Sequence, residues 1–138
     1  MLETIISVKN DLDQLSVIVK KLEQFATYWN LDDLALFNIN LVIEEIFTNI
    51  VFYAFPDNNE HIIILRLSKK NNKVIIKIED DGKEFDPTEA PEPEHIDKPL
   101  EEREVGGLGI HFVNTIMPDP SYQRTDNKNI LTLTYKIV

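Results

Sequence analysis

Three polar residues spaced four apart could place chemically useful groups on one face of a helix. They are Glu45, Asn49 and Tyr53, a carboxylate, an amide and a phenol among apolar neighbours. At this spacing their side chains share one stripe of a helix. Polar side chains on a helix stripe that faces the core are costly unless they have a partner, and a binding or catalytic site is one explanation for them. A helix edge in contact with water is the simpler alternative, because short motifs often occur by chance.

A second candidate is the carboxylate at the end of an apolar strand. Val74, Ile76 and Ile78 alternate along this strand, and the alternation places Asp80 on the same face. A carboxylate on a covered face is costly unless a group donates a hydrogen bond to it. The amino group of a bound ligand would be such a donor. The alternative is an aspartate that only caps the turn that follows.

The glycines form the third group. The chain has four, and they lie at the two ends of one acidic segment: Gly82 near its start, and Gly106, Gly107 and Gly109 just after it. The last three open a predicted short helix, where free backbone N–H groups bind anions and glycines let phosphate oxygens come close. A glycine-rich turn is weak support when it stands alone, and this one matches neither the P-loop nor the dinucleotide fingerprint.

The acidic segment between these glycines favours a lid or a binding loop. From Glu79 to Glu104 there are twelve acidic residues, three basic residues and four prolines. This composition predicts a long, solvated and mobile loop. Loops longer than about 12 to 15 residues inside a compact domain are uncommon, and they are usually lids, binding loops or linkers.

Composition excludes several classes of protein. With 24 acidic against 14 basic residues the formal charge is −10, which disfavours nucleic acid and anionic membranes as partners. The absence of cysteine excludes disulfides and thiolate metal sites. The first residues lack the features of a signal peptide, and no apolar run reaches the ~18 residues of a membrane span. We therefore expect one domain over residues 1–138, located in the cytoplasm.

The elements that would position these groups alternate between helical and strand patterns. Helices are predicted at about residues 12–29, 33–55 and 109–117, and strands at about 4–8, 61–67, 73–79, 121–125 and 130–137. This order predicts an α+β fold: a two-layer sandwich with a mixed, mostly antiparallel sheet and its helices on one face.

Taken together and in this order, three segments resemble a known superfamily. Residues 45–49 (EIFTN), 79–87 (EDDGKEFDP) and 106–109 (GGLG) are similar to the N, G1 and G2 boxes of the Bergerat-fold (GHKL) ATPases, which include DNA gyrase and the histidine kinases. A single domain of this length with a Glu-x-x-x-Asn helix most resembles the bacterial anti-sigma-factor serine kinases. The resemblance covers essentially the whole chain.

The resemblance implies roles for the helix residues and the strand end. Asn49 corresponds to the asparagine whose oxygen holds Mg²⁺ against the triphosphate of ATP, a task that suits a hard, neutral oxygen. Glu45 corresponds to the general base that takes the proton of the attacking hydroxyl. Asp80 corresponds to the aspartate that accepts a hydrogen bond from the adenine amino group, and Gly82 to the glycine that lets backbone lie near the base.

The resemblance also implies roles after the strand end. Residues 86–105 would be the ATP lid, and the box formed by Gly107, Leu108 and Gly109 would bring backbone amides to the phosphates. Thr132, on the last predicted strand, is a weaker candidate for the adenine pocket. Many relatives have a second glycine in the G1 box where this chain has Glu84, so lid closure over the base is expected to differ.

The function implied by the resemblance is a Mg²⁺-ATP-dependent serine-protein kinase. Its substrate would be a STAS-type anti-sigma-factor antagonist, and it would be able to bind a sigma factor and to form a homodimer. A nucleotide-gated binding module of the same fold, without phosphoryl transfer, is the main alternative. The catalytic half of a histidine kinase, split from its phosphoacceptor, is a further alternative, but no helical dimerisation segment that bears a histidine is expected to fit in 138 residues.

Overall fold

The computed structural model describes residues 3–89 and 109–137. Two short 3₁₀ turns, Leu12–Gln14 and Pro87–Glu89, accompany the main elements in these ranges. The main elements in chain order are β1 (Glu3–Lys9), α1 (Leu15–Tyr28), α2 (Asp33–Tyr53), β2 (Ile62–Lys70), β3 (Lys73–Asp80), α3 (Gly109–Ile116), β4 (Ser121–Thr125) and β5 (Lys128–Lys136).

Side-chain caps and left-handed residues set the limits of the first two helices. Asp11 caps the 3₁₀ turn that leads into α1, and Asn30, with φ of 56°, follows its end. Asp32 caps α2, because its carboxylate accepts a hydrogen bond from the Ala35 N–H at 2.8 Å. Both starts and both ends lie within two or three residues of the predicted positions.

Helix α2 is the central helix of the fold. It is long and apolar enough to cross a membrane by length and composition, a test that the core helix of a soluble protein also passes. Here it lies against the sheet and buries a continuous stripe. The fully or almost fully buried residues of that stripe are Ala35, Ile39, Val42, Ile43, Ile46, Phe47, Asn49 and Ile50.

The five strands form one sheet in the order β1-β2-β3-β5-β4, and every pairing between them is antiparallel. The two hairpins are tighter than predicted. A turn at Asn71 and Asn72 joins β2 to β3, and a turn at Asp126 and Asn127 joins β4 to β5, so each strand runs further toward its turn. Asn71, Asp126 and Asn127 have positive φ, the conformation that two-residue hairpin turns require.

The helices cover one face of the sheet, and side chains alternate across it. On β3, Val74, Ile76 and Ile78 are buried under the helices, and Asp80 continues this series at the end of the strand. Lys77 points to the opposite, uncovered face. The predicted α+β two-layer sandwich is thus confirmed, with a fully antiparallel sheet in the described residues.

Candidate functional site

Asp80 ends β3 on the helix-covered face, with only 2% of its surface exposed. One carboxylate oxygen, Oδ1, accepts hydrogen bonds from the Gly82 N–H at 2.8 Å and from the Asn129 amide at 2.9 Å. The other, Oδ2, is buried without a hydrogen-bond partner in the described part of the chain. Burial raises the pKa of the Asp80 carboxyl, although its two hydrogen bonds oppose the shift. Asp80 therefore caps the turn and also retains a free acceptor.

Asn129, which the sequence analysis assigned to a loop, holds this strand end together. It is 2% exposed and lies opposite Asp80 in the β3–β5 pairing. Its amide nitrogen donates to Asp80 and to the Lys83 carbonyl, at 2.9 and 2.7 Å. Its oxygen accepts from the Phe85 N–H, the Tyr122 hydroxyl and the Arg124 guanidinium. A single side chain thus fixes Asp80 and the loop that follows β3.

Gly82 lies against the end of α2. A Cβ at this position would clash with the carbonyl oxygen and the Cβ of Ala54, and the next residue, Lys83, donates its N–H to the same carbonyl at 2.9 Å. The Arg124 guanidinium donates to the Gly82 carbonyl at 2.8 Å. The glycine is therefore required by the close approach of the helix, a reason that the sequence did not reveal.

Asn49 lies in the middle of α2 and is fully buried. Its amide nitrogen donates to the Pro87 carbonyl at 3.1 Å, which ties the helix to the first residues of the proposed lid. Its oxygen, Oδ1, is buried and has no hydrogen-bond partner among residues 3–89 and 109–137. Because the nitrogen is engaged, the neutral oxygen is the part of the side chain that remains to bind something else.

Glu45 lies one helical turn before Asn49 and faces the start of α3. A Cβ on Gly109 would clash with the Glu45 carboxylate, so α3 approaches this side chain as closely as only glycine allows. Glu45 Oε1 is buried and unpartnered in the described residues. Burial raises the pKa of Glu45, the nearby Asn49 amide partly opposes this, and the charge of Glu44 adds to it.

These residues form two groups, one centred on α2 and one at the end of β3. We call Asp80, Gly82 and Asn129 the strand end, and Glu45, Asn49 and Gly109 the helix end. Helix α2 joins them, since it carries the polar residues of the helix end and contacts Gly82 through Ala54. Ala54 lies nine positions after Glu45, a rise of about 13 Å along the helix, a length suited to an extended nucleotide.

One predicted site residue lies elsewhere, and others fall outside the described residues. Thr132 pairs with Lys77 and lies on the uncovered face of the sheet, opposite to the face of Asp80, because strand side chains alternate. We therefore remove it from the candidate site. Gly106, Gly107 and Leu108 lie outside the described residues, as does the proposed lid from residue 90 to 105. Tyr53 packs beside Phe85, with ring centroids 5.8 Å apart.

The unpartnered oxygen atoms of Asp80 and Asn49 suit the binding of a nucleotide with a divalent cation. An unpartnered carboxylate oxygen at the strand end can accept from an exocyclic amino group, and a neutral amide oxygen at the helix end can bind a hard cation. The described residues contain no cluster of three or more histidine or acidic side chains that could hold a metal. A Mg²⁺ ion at Asn49 would therefore take its other ligands from phosphates and water, as Mg²⁺ commonly does.

An open antiparallel sheet under a central helix, with a polar Glu-x-x-x-Asn stripe and a strand-end aspartate, is the architecture of the Bergerat-type ATPase domains. The sequence matches the histidine kinase-like ATPase domain family over residues 8–135. The chain belongs to this family, and the resemblance inferred from the sequence is confirmed.

Comparison with known proteins identifies two serine kinases as relatives. The chain is 34% identical over 137 residues to the serine/threonine-protein kinase BtrW of Bordetella bronchiseptica, covering 93% of this chain and 94% of that protein. It is 29% identical over 101 residues to the serine-protein kinase RsbW of Bacillus thuringiensis, covering 71% of this chain and 62% of that protein.

A solved structure shares the fold. It contains the RsbU and RsbW domains of Rv1364c from Mycobacterium tuberculosis and aligns with a TM-score of 0.69 at 12% identity. The alignment covers 99% of this chain and 32% of that one. The agreement at such low identity supports the architecture alone.

Proposed function

We propose that this protein is a Mg²⁺-ATP-binding serine-protein kinase of the anti-sigma-factor type. Four buried side-chain oxygens have no hydrogen-bond partner in the described residues, and the proposal rests on three of them, on Glu45, Asn49 and Asp80. The fourth, Asn40 Oδ1, lies beside residues of α1 and is not part of this site. Buried polar atoms are nearly always hydrogen-bonded, so three along one helix and the adjoining strand end support a ligand that supplies the missing partners.

In this proposal the two ends bind different parts of ATP. Asp80 accepts from the adenine amino group through Oδ2, while Asn129 and the Gly82 N–H keep the carboxylate in place. Asn49 offers Oδ1 to the cation, and the box of Gly107, Leu108 and Gly109 offers amides to the phosphates. Bound Mg²⁺ would supply neutralisation of the phosphate charge.

Glu45 would act as the base of the transfer. It accepts the proton of a partner's serine hydroxyl while that oxygen forms a bond to the γ-phosphorus and the bond to ADP breaks. A carboxylate whose pKa is raised by burial accepts a proton more readily than an exposed one, which suits this role near neutral pH.

The names of the relatives support the kinase activity, and the proposed partners are those that the family resemblance implies. We propose a STAS-type anti-sigma-factor antagonist as the phosphorylated protein and a sigma factor as a second partner, in the cytoplasm. The chain's charge of −10 disfavours direct contact with nucleic acid or with anionic membranes. A homodimer would cover the sheet face that the helices leave open.

A nucleotide-gated binding module without transfer is the alternative of the same fold. The presence of Glu45 on α2, half-buried against Gly109, favours the kinase, because a module that only binds has no use for a base at this position.

Calorimetry with ADP or ATP and Mg²⁺, followed by transfer of labelled phosphate to a purified STAS-type protein from the same organism, tests the proposal. We expect nucleotide binding that depends on Mg²⁺ and labelling of one serine. A wild-type protein that binds no adenine nucleotide would overturn the proposal. Nucleotide-dependent partner binding without labelling would favour the binding module instead.

A further inference from the structure

A histidine next to the strand end contacts two aspartates from different segments. His61 lies just before β2, between the loop after α2 and the turn after β3. Its Nε2 is 2.8 Å from Asp57, and its Nδ1 is 2.9 Å from Asp81. The ring stacks on Phe55, with centroids 4.5 Å apart and planes 15° from parallel. We call His61, Asp57 and Asp81 the histidine clasp.

The backbone of His61 is fixed independently of its side chain. Its N–H donates to the Asn10 side-chain oxygen at 2.8 Å, and its carbonyl accepts from the Asn10 N–H at 3.0 Å. The Asn10 amide also donates to the Asn59 carbonyl at 3.0 Å. Because these hydrogen bonds hold the backbone of His61, a change in the hydrogen bonds of its ring should move the two aspartates and not His61 itself.

Both nitrogens can donate only when the imidazole is protonated. A neutral imidazole carries one N–H and one acceptor nitrogen, and an ionised carboxylate only accepts. Loss of the proton therefore removes one of the two hydrogen bonds. Desolvation lowers the pKa of His61, but the hydrogen bonds and charges of Asp57 and Asp81 outweigh this and raise it overall.

The other charged groups near the clasp are few. Lys83 lines the same cavity of about 230 Å³ as His61, Asp81 and Gly82. Glu60 is paired with Lys9 at 3.3 Å. Ala54 and Phe55, which directly follow the C-terminal end of α2, also line this cavity, and the carbonyl groups at a helix C-terminus favour a cation. In this part of the described chain, His61 is thus the one cationic side chain that can lose its proton near neutral pH.

Asp81 connects the clasp to the strand end. It directly follows Asp80 and directly precedes Gly82, whose N–H holds the Asp80 carboxylate. We propose that His61 is a positioning residue for the adenine subsite, and that its protonated form orders the turn after β3 and thereby strengthens nucleotide binding. This inference rests on the proposed function. It makes nucleotide affinity decrease as pH rises through the pKa of His61.

The test compares the ADP affinities of the wild type and His61→Gln across about pH 6 to 8.5, the range in which a histidine of raised pKa titrates. Taking the ratio of the two affinities at each pH cancels the ionisation of ADP itself. We expect the wild type to bind about threefold to tenfold more tightly at the acid end, and this advantage to shrink toward the alkaline end. Glu60→Gln, in the neighbouring exposed ion pair, is the matched control and should give a ratio that does not vary with pH.

A measurement on the wild type protects the test against a variant that fails to fold. NMR titration of the His61 ring should give a higher pKa with ADP bound than without, because coupling between two binding events is reciprocal. An unchanged pKa, or an affinity ratio constant with pH, would overturn the inference while leaving nucleotide binding intact. No ADP binding at any pH would overturn the proposed function and this inference with it.

Discussion

The strand end and the helix end of the site reach their positions by different means. At the strand end, Asp80 and Asn129 lie in a dense set of hydrogen bonds to backbone and side chains. At the helix end, Asn49 has one hydrogen bond to Pro87, and Glu45 Oε1 has no partner in the described residues. One end is held by its own contacts, whereas the other is held mainly by the rigidity of α2.

This difference indicates how the two ends would work. A recognition subsite gains from side chains fixed before the ligand arrives, since less freedom is lost on binding. A group that accepts a proton and a cation ligand need free lone pairs, and a helix positions such groups without using their hydrogen-bonding capacity. Substitutions at the strand end should therefore alter affinity and stability, and those at the helix end should alter chemistry.

The largest effect is expected for Glu45→Gln. This change preserves size and removes the base, so phosphoryl transfer to the partner serine should fall about 10²-fold to 10⁴-fold while nucleotide affinity is retained. Transfer of labelled phosphate and calorimetry measure the two quantities. Glu44→Gln, an exposed neighbour on the same helix whose charge is only a minor cause of the raised pKa of Glu45, is the control and should change the rate far less. Equal loss of affinity and rate in Glu45→Gln would contradict the separation of the two ends.

Asp80→Asn should weaken ADP binding about tenfold to a hundredfold. The amide replaces the charged acceptor, and a hydrogen bond to a charged group contributes about 1.5 to 3 kcal/mol. Glu79→Gln tests the neighbouring carboxylate, which the alternation places on the other sheet face. Equal affinities of the wild type and Asp80→Asn in calorimetry would remove adenine recognition from the strand end.

Asn129→Ala should reduce both stability and affinity. It leaves the buried partners of one amide unsatisfied, which costs about 1 to 3 kcal/mol of unfolding free energy, and it frees Asp80 to move. Chemical denaturation and calorimetry measure the two effects. Thr132→Ala, on the opposite face of the same strand, should leave ADP affinity within about twofold of wild type. A larger effect of Thr132→Ala would return that residue to the site.

The smallest effect concerns stability and pH. Because burial raises the pKa of Asp80 in the folded state, its protonated form stabilises the fold at acid pH, and this contribution is lost as pH rises through the folded pKa. Nucleotide-free Asp80→Asn should therefore melt above wild type at neutral pH, where the wild-type carboxylate is ionised against the effect of its burial. The advantage should shrink toward about pH 4, where thermal melts that still differ equally would refute the argument.

Much of the helix end could be predicted from the sequence. Helical spacing alone places Glu45 and Asn49 on one stripe, and the alternation of β3 places Asp80 on the covered face. These are local properties, because each depends on a few neighbouring residues within one element. The caps at Asp11 and Asp32 were predictable for the same reason.

The rest of the strand end depends on which strands pair and in which register. Asn129 is polar and next to a turn, so its sequence context predicts a loop residue. Only the pairing of β3 with β5 brings it opposite Asp80, and the same register places Thr132 on the other face. The need for glycine at position 82 likewise comes from Ala54, 28 positions earlier in the chain. Contacts between distant segments leave little trace in local patterns.

The left-handed turn at Asp126 and Asn127 limits the changes in length that the β4–β5 hairpin can accept during evolution. The turn fixes the register of β5, and a slip of one residue moves every side chain of a strand to the other face. Ile130 would then occupy the place of Asn129, opposite Asp80. A deletion of one residue in this exposed hairpin, which a loop would ordinarily tolerate, would therefore exchange a polar contact for an apolar one at a site that the turn itself never touches.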